Sequence, residues 1–255
     1  MLKIFKYVFL DIIRNKIVLL YTLALLIISL SMFNISESPE KAIISLLNIE
    51  LIVLPLICGV FSTIYVYNSS EFIELLVAQP LRRVAIFRSI LFGLVAALSF
   101  AFLIGLGIPL LIYSPDSTGF IFLLSGVALT ACFTAFALVA AVYTKDKAKG
   151  IGVTILLWFY FTLIYDGLVL FILFQFGDYP LEKYMIGLSC MNPIDLVRIL
   201  LLLKIDSAAI MGYTGAIFKD FFGSGMGTII SGSVLLFWFV LPAWLAIRKF
   251  RRKDL

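Results

Sequence analysis

Two carboxylates, Glu50 and Asp166, stand inside long apolar runs and are the residues best placed to do chemistry in a membrane. An ionisable side chain at such a position is a functional hypothesis by default. From their places in the runs, we expect both in the outer half of the bilayer. Either they line a wet cavity or a dimer seam, or they bond to Ser, Thr or Tyr on neighbouring helices. We favour the bonded alternative for Glu50 and the cavity for Asp166.

Other catalytic groupings are missing from the sequence. The 255 residues include no histidine, which removes His-based triads, His metal sites and His pH switches. Cys58, Cys132 and Cys190 form no CxxC pair, so no disulfide or zinc framework is predicted. Aspartyl-protease chemistry needs two carboxylates about 3 Å apart, but no GxGD motif accompanies the Tyr165–Asp166 pair. Neither GxxxxGKS nor GxxxxGKT occurs, so we expect a chain that is not itself an enzyme.

The apolar runs themselves define the fold class. The chain is 63% hydrophobic and 14% charged, whereas soluble domains carry about 25% charged residues. A bilayer core about 30 Å thick is crossed by about 20 apolar residues, which must be helical because lipid leaves backbone groups unpaired. We therefore predict an all-α membrane protein with a single transmembrane domain, 1–255, whose first span is retained. The predicted spans are 17–35, 44–66, 89–113, 119–143, 151–176 and 228–247.

The positive charges predict the orientation. Fifteen of the twenty Lys and Arg residues flank the runs on the side that holds both termini. The positive-inside rule therefore places both termini in the cytoplasm, and we expect a bacterial cytoplasmic membrane. The net charge of +5 then points to the lipid bilayer as partner and not to nucleic acid.

Residues 1–16 predict an amphipathic helix at the inner leaflet. Lys3, Lys6 and Arg14 fall away from its apolar stripe. The stripe consists of Ile4, Phe5, Val8, Phe9, Ile12 and Ile13. Such a helix either rests on the membrane surface alone or contacts a partner.

A second short helix is predicted at 68–82, between the second and third spans. Asn68 and Glu71 have capping-box spacing, and Pro80 ends the helix at or before Gln79. It is either an interfacial loop with ordinary flanking arginines or a docking helix for a soluble partner. The docking candidates are Glu71, Glu74, an apolar face of Phe72, Leu75 and Leu76, the following Arg82 and Arg83, and Lys145, Asp146 and Lys147 of the next turn on this side.

The long outer connection, 177–227, contains a third short helix. Asn192 can cap it, Pro193 suits its first turn, and Asp195 suits its N-terminus and can pair with Arg198. At about 14 residues it cannot span, so it lies on the outer surface or dips in and returns. It serves as a packing lid or meets an extracytoplasmic partner. Methionines near Cys190 could suit Cu(I) but are ordinary filler too, and we predict no metal site.

The stretch "EFIELLVAQPLRRVAIFRSIL" resembles the ABC-2 class of ABC-transporter permeases. That resemblance implies an N-terminal interfacial helix, six spans, a coupling helix between spans two and three, and a second cytoplasmic contact at "TKDKAKG" (144–150). It further implies a homodimer that binds cytoplasmic ABC ATPase subunits, and these subunits would hold the ATP and Mg; no cofactor is expected in this chain.

"MNPIDLVRILLLLKIDSAAIMGYTGAIF" (191–218), with "YDGLVLFIL" before it, is similar to the NosY family, the permeases of the nitrous-oxide-reductase maturation system. This narrower resemblance implies a periplasmic copper-handling protein and a copper chaperone as partners, with Asn192, Pro193, Asp195 and Arg198 as contacts. Two alternatives stay open. One is an ABC-2 exporter of a lipid, drug or peptide, and the other is an energy-independent membrane scaffold.

Overall fold

The computed structural model describes residues 2–176, 182–205 and 225–252, and every regular element within them is helical. Within these residues, six helical stretches are long and apolar enough to cross a membrane, or seven if the bent helix pair described below counts as one span, so the structure agrees with about six predicted spans. The chain is therefore an all-α membrane protein. The helices are α1 (Leu2–Ile13), α2 (Lys16–Ile35), α3 (Pro39–Asn68), α4 (Ser70–Val77), α5 (Arg83–Phe102), α6 (Ile108–Tyr113), α7 (Ser117–Tyr143), α8 (Lys147–Phe159), α9 (Tyr165–Gln175), α10 (Glu182–Cys190), α11 (Pro193–Lys204) and α12 (Gly225–Arg252).

Several spans begin earlier than their apolar runs because polar residues cap and form the first turn. Asn15 accepts a hydrogen bond from the amide of Ile17 at 2.9 Å, and Asp116 accepts one from the amide of Gly119 at 3.2 Å. Each cap satisfies an amide that has no partner inside its helix. The first turn of α8 contains Lys147 and Lys149, which the predicted span 151–176 did not include because they are charged.

Two spans contain a π-helical turn. Leu103–Gly107 joins α5 to α6, and Tyr160–Ile164 joins α8 to α9. Such turns widen a helix locally and leave backbone groups open to outside partners. In the first turn, the hydroxyl of Ser29 donates to the carbonyl of Gly105 at 3.0 Å. The second turn lies beside the site described below.

α7 is the central helix of the bundle. In its most apolar 18-residue stretch, 72% of the residues are buried. The corresponding share is 17% for the span Lys147–Gln175, which lies at the periphery. α7 packs against α3 on one side and α12 on another. Its Gly126 faces the ring of Phe102 so closely that a Cβ atom there would lie 2.1 Å from Cζ. A glycine is thus required for the contact between α7 and α5.

α1 packs along α5. Val8 and Ile12 are buried and the rest of the predicted stripe is partly buried against the core, while Lys3, Lys6 and Arg14 are exposed. The amphipathic pattern is therefore confirmed, although the helix ends at Ile13 and not at residue 16. A Cβ on Gly93 of α5 would lie 2.6 Å from Cγ1 of Val8, so the two helices approach closely.

α10 and α11 form a helix pair that is bent by 114° at a short break. The break lies beside residues 161 to 165 and Trp238, in the middle of two spans. The far end of α11 lines a groove with Ile121, near the start of α7. A pair bent at this angle forms either one broken span or a re-entrant loop, and its break lies among the spans of the bundle.

Candidate functional site

The helix α4 is shorter than the predicted 68–82 and begins differently. Its first residue is Ser70, and Ser69 precedes it without a side-chain cap. The capping-box prediction for Asn68 is wrong: this residue ends α3. Only Ser69 separates α3 from α4, so Asn68 belongs to α3, and its side chain accepts a hydrogen bond from Lys147.

The two faces of α4 differ in burial. Ile73 and Leu76 are buried against the bundle, whereas Glu71, Glu74 and Leu75 are exposed. The apolar face predicted to meet a partner is therefore divided: Leu75 is presented to solvent, whereas Leu76 is buried against the bundle together with Ile73. The ring of Phe72 stacks on Tyr7 of α1 at a centroid distance of 5.0 Å. The result is an anchored helix that presents two carboxylates and one leucine to solvent.

The turn between α7 and α8 lies against the end of α3. The amide of Ala148 donates to Oδ1 of Asp146 at 2.7 Å and so caps α8, while Nζ of Lys147 donates to Oδ1 of Asn68 at 2.8 Å. Lys145 is exposed. The structure thus brings two predicted segments, 68–82 and 144–150, into direct contact, and Asn68 is the residue that joins them.

Tyr67 reinforces this junction. Its Oη lies 2.5 Å from Oγ1 and 3.2 Å from the carbonyl oxygen of Thr144. Gly150 leaves room for the ring, because a Cβ there would lie 2.4 Å from Oη of Tyr67. We call the contacts of Tyr67 and Asn68 with residues 144–150 the α3–α8 junction.

Further polar contacts continue along α3 and α8 into the bundle. The hydroxyls of Thr63 and Thr154 lie 2.8 Å apart, and Gly59 faces the Thr154 methyl group. Higher up, Nε1 of Trp158 donates to the carbonyl of Ile52 at 3.0 Å. Pro55 has no N–H to donate to the carbonyl of Leu51, the residue before Ile52. Hydrogen bonds thus join the two helices at three levels.

At the other end of α8, three hydrogen bonds hold the break between α10 and α11. Oη of Tyr165 donates to the carbonyl of Leu188 at 2.5 Å, and Nε1 of Trp238 donates to that of Cys190 at 3.1 Å. Nδ2 of Asn192 donates to the carbonyl of Phe161 in the π-helical turn at 2.8 Å. Its Oδ1 accepts from the amide of Ile194 at 2.9 Å, which confirms the predicted cap.

Charged side chains meet just beyond the break. Nη1 of Arg198 lies 2.8 Å from Oδ2 of Asp166 and 2.9 Å from Oδ1 of Asp195. The predicted Asp195–Arg198 pair is confirmed, and Asp166 joins it from α9, a contact that the sequence did not indicate. Two carboxyl groups and one guanidinium therefore lie together, with side chains about one-third exposed or less. We call Asp166, Asp195 and Arg198 the carboxylate–arginine cluster.

Glu50 lies apart from that cluster. It is fully buried, and Ser125 of α7 donates to its Oε1 at 3.1 Å. The structure therefore agrees with the alternative favoured for Glu50, a hydrogen bond to a serine on a neighbouring helix. Its Oε2 has no hydrogen-bond partner within the described part of the chain. This oxygen stays without compensation inside an apolar core, an arrangement that is costly and uncommon.

The residues predicted to meet an outer partner lie mostly inside the molecule. Asn192, Pro193 and Asp195 are buried among helices of this chain, so they position α11 and are not presented at its surface. Tyr184 and Met191 are the large exposed apolar residues of this pair. Across the described ranges, no group of three or more His, Cys, Asp or Glu side chains is arranged to hold a metal ion. Of the segment 177–227, residues 177–181 and 206–224 lie outside the described residues.

No family model matches this chain. No curated protein matches it significantly. The assignment of a function therefore depends on the geometry described above and on the resemblances in the sequence.

Proposed function

We propose that this chain is the permease subunit of an ABC transporter of the ABC-2 type, which works as a homodimer with separate cytoplasmic ATPase subunits. The observation that carries the proposal is the exposed face of α4. Two carboxylates and Leu75 stand out on a helix that Ile73 and Leu76 anchor to the bundle. A short helix fixed on one face and free on the other can bind in a groove of a partner.

The α3–α8 junction supports the same function. A coupling element must pass a displacement to the spans, so it must not be a free loop. The bond between Lys147 and Asn68 places the second expected contact segment against the end of α3, one residue before α4. An ATPase that held α4 would also press on residues 144–150, and both segments would move with α3 and α8.

The seam of α3 and α8 provides a contiguous route to the other end. Thr63–Thr154 and Trp158–Ile52 tie the two spans together, and Asn192 ties the π-helical turn above them to α11. In the Nos-like version of the proposal, a tilt of these spans reshapes the α10–α11 pair. This pair then acts on a periplasmic copper-handling partner during maturation of nitrous-oxide reductase, and the output is mechanical.

A second candidate is an exporter of a lipid, drug or peptide. One observation favours it: an open groove of about 510 Å³ lies between α5, α7, α11 and α12. Its wall is almost wholly apolar, with Lys204 at one end. A groove of this size and lining matches the sites that take drug-sized apolar ligands.

The test is recovery of ATPase subunits with the tagged chain from its native membrane. The double variant Glu71→Arg/Glu74→Arg reverses the charge of the exposed face, and we expect it to reduce recovery of subunits that carry a Walker A sequence at least tenfold. The matched control is Glu37→Arg/Glu40→Arg, two exposed carboxylates at the opposite end of the bundle. Unchanged recovery in the first variant would show that α4 is not the docking helix.

Activity measurements separate the remaining alternatives. The purified chain is expected to hydrolyse no ATP alone, and a scaffold would show no nucleotide-dependent change when ATPase subunits are added. Transport into vesicles would favour the exporter. ATP-dependent binding of a periplasmic protein without transport would favour the mechanical output.

A further inference from the structure

Six arginines at the start of one helix and the end of another line one region of the bundle surface. Arg82 and Arg83 are among the predicted docking residues, but the proposed function does not use the other four. The start of α5 and the end of α12 meet there, fixed by the buried rings of Phe87 and Phe250 at a centroid distance of 4.7 Å. The arginines are Arg82, Arg83, Arg88, Arg248, Arg251 and Arg252. We call this surface the arginine pocket.

The arginine pocket consists of two adjoining cavities. One has a volume of about 390 Å³ and the other of about 540 Å³, and both include Val84, Arg88 and Arg251. Within residues 2–176, 182–205 and 225–252, no acidic side chain lines either cavity. Among the described residues, no salt bridge links Arg88, Arg248 or Arg251 to a carboxylate. Crowded guanidinium groups repel one another, so this arrangement favours a bound anion.

The lining of the pocket points to a lipid. Trp244 and Ile247 form an apolar wall on the α12 side, and the guanidinium of Arg248 lies 5.2 Å from the centre of the Trp244 ring. Tryptophan is typical of the boundary between acyl chains and headgroups. Arginine matches phosphate oxygens through paired N–H groups, and basic pockets between transmembrane helices bind phosphate-bearing headgroups.

We propose that the arginine pocket binds an anionic phospholipid with two phosphates, of the cardiolipin class. Each cavity accepts one phosphate, Arg88 and Arg251 lie between them, and the acyl chains run along Val84, Trp244 and Ile247. The lipid fixes the end of α12 to the start of α5. This inference needs the basic end of the bundle to lie at a membrane surface, but it does not depend on an ATPase partner.

The test is lipid retention by the full chain purified in detergent, measured by native mass spectrometry as cardiolipin is titrated. The variant Arg248→Gln/Arg251→Gln/Arg252→Gln removes three of the six charges, and we expect it to weaken cardiolipin binding about 100-fold. The matched control is Lys3→Gln/Lys6→Gln/Arg14→Gln, which removes three exposed charges, two on α1 and one just after it. We expect this control to change binding less than threefold.

Three further arms decide between sources of the anion. Phosphatidylglycerol, with one phosphate, should bind at least about tenfold more weakly than cardiolipin. Inorganic phosphate at about 10 mM should leave bound cardiolipin in place. Equal loss in both triple variants would overturn the proposal, as would displacement by inorganic phosphate. The arginine variant could instead bind lipid normally but lose the ATPase subunits in the recovery experiment described above. That result would make the pocket a protein-docking surface and would overturn the lipid proposal as well.

Thermal unfolding provides an independent check on folding. Added cardiolipin should raise the unfolding temperature of the wild-type chain and of the α1 control but not of the arginine variant. A variant that unfolds at the wild-type temperature without lipid shows that the loss of binding is local. Because no ATPase is present, failure here leaves the proposed function intact.

Discussion

Nη1 of Arg198 lies 2.8 Å from Oδ2 of Asp166, across 32 residues of sequence, and this contact fixes α11 to α9. The same nitrogen bonds to Asp195 one turn away on its own helix. One guanidinium thus bonds to two carboxyl groups in a partly buried position, where unpaired charge is costly. The carboxylate–arginine cluster therefore fixes the α10–α11 pair to a peripheral span.

Arg198→Met is expected to destabilise the chain by about 2 kcal/mol, because it leaves two partly buried carboxylates without a counter-charge. The effect lies below that of a fully buried pair because the side chains of Arg198 and Asp166 are 32% and 29% exposed. Tryptophan fluorescence during heating in detergent measures it. Lys204→Met, at the exposed end of the same helix, is the control and should change little. Equal shifts in both variants would contradict a role for the cluster.

Asn192 serves two partners, and its variants separate them. Asn192→Ala loses the cap on Ile194 and the bond to the Phe161 carbonyl, so we expect a loss of about 2 kcal/mol. Asn192→Asp keeps an acceptor for the cap but cannot donate to Phe161. If the bond to the π-helical turn matters, Asp should be nearly as damaging as Ala. An aspartate variant as stable as wild type would limit Asn192 to capping.

Hydropathy and length predict the spans well because lipid imposes one requirement on every residue of a run. The run predicted at 119–143 is the helix Ser117–Tyr143, and the one at 17–35 is Lys16–Ile35. The long-range contacts were not predictable in this way. Asp166 meets Arg198 only because the chain reverses by 114° between α10 and α11, and no local pattern encodes that angle.

The candidate site shows the same division. Amphipathic spacing predicted α4 and α1, but it grouped Leu75 and Leu76 on one docking face, whereas Leu75 is exposed and Leu76 is buried beside Ile73. An eight-residue helix has barely two turns, so its rotation is decided by what lies beneath it and not by its own sequence. Asn68 was assigned as a cap from spacing alone. Its bond to Lys147, 79 residues later, depends on the packing of α3 against α8.

Asp116 gives a pH-dependent prediction at the tight turn before α7. The hydroxyl of Ser114 at 2.6 Å, together with the Gly119 amide, holds the pKa of Asp116 below its usual value. A carboxyl whose pKa is lower in the folded state stabilises the chain above its unfolded pKa, about 3.9. This contribution is lost as the pH falls through the folded pKa.

Asp116→Ala should therefore cost about 1 kcal/mol at pH 7 and clearly less at pH 3. Asp116→Asn keeps a capping oxygen and should remove most of the pH dependence at little cost. Unfolding temperatures of the three proteins at both pH values provide the measurement. An alanine variant with the same deficit at both pH values would show that charge at this cap contributes nothing.

Gly150 and Gly152 provide a matched pair for testing the α3–α8 junction. An alanine Cβ at Gly150 would lie 2.4 Å from Oη of Tyr67, whereas one at Gly152 meets nothing within 4 Å. Gly150→Ala must therefore displace the Tyr67 ring and break its contacts with Thr144, at a cost of about 1–3 kcal/mol. Gly152→Ala should be neutral or slightly stabilising because alanine favours helix.

The same pair reports on coupling as well as on stability. Tyr67→Phe removes the contacts to Thr144 without adding volume, so it should reproduce the functional loss of Gly150→Ala with a smaller loss of stability. In vesicles with the ATPase subunits, we expect both variants to bind these subunits normally, since the exposed face of α4 is unchanged. Their nucleotide-dependent change at α10–α11 should fall several-fold, measured with a fluorophore on Met191→Cys. If Gly150→Ala kept the full nucleotide-dependent change at α10–α11, α4 would have to act on the spans by a route other than Tyr67 and Asn68.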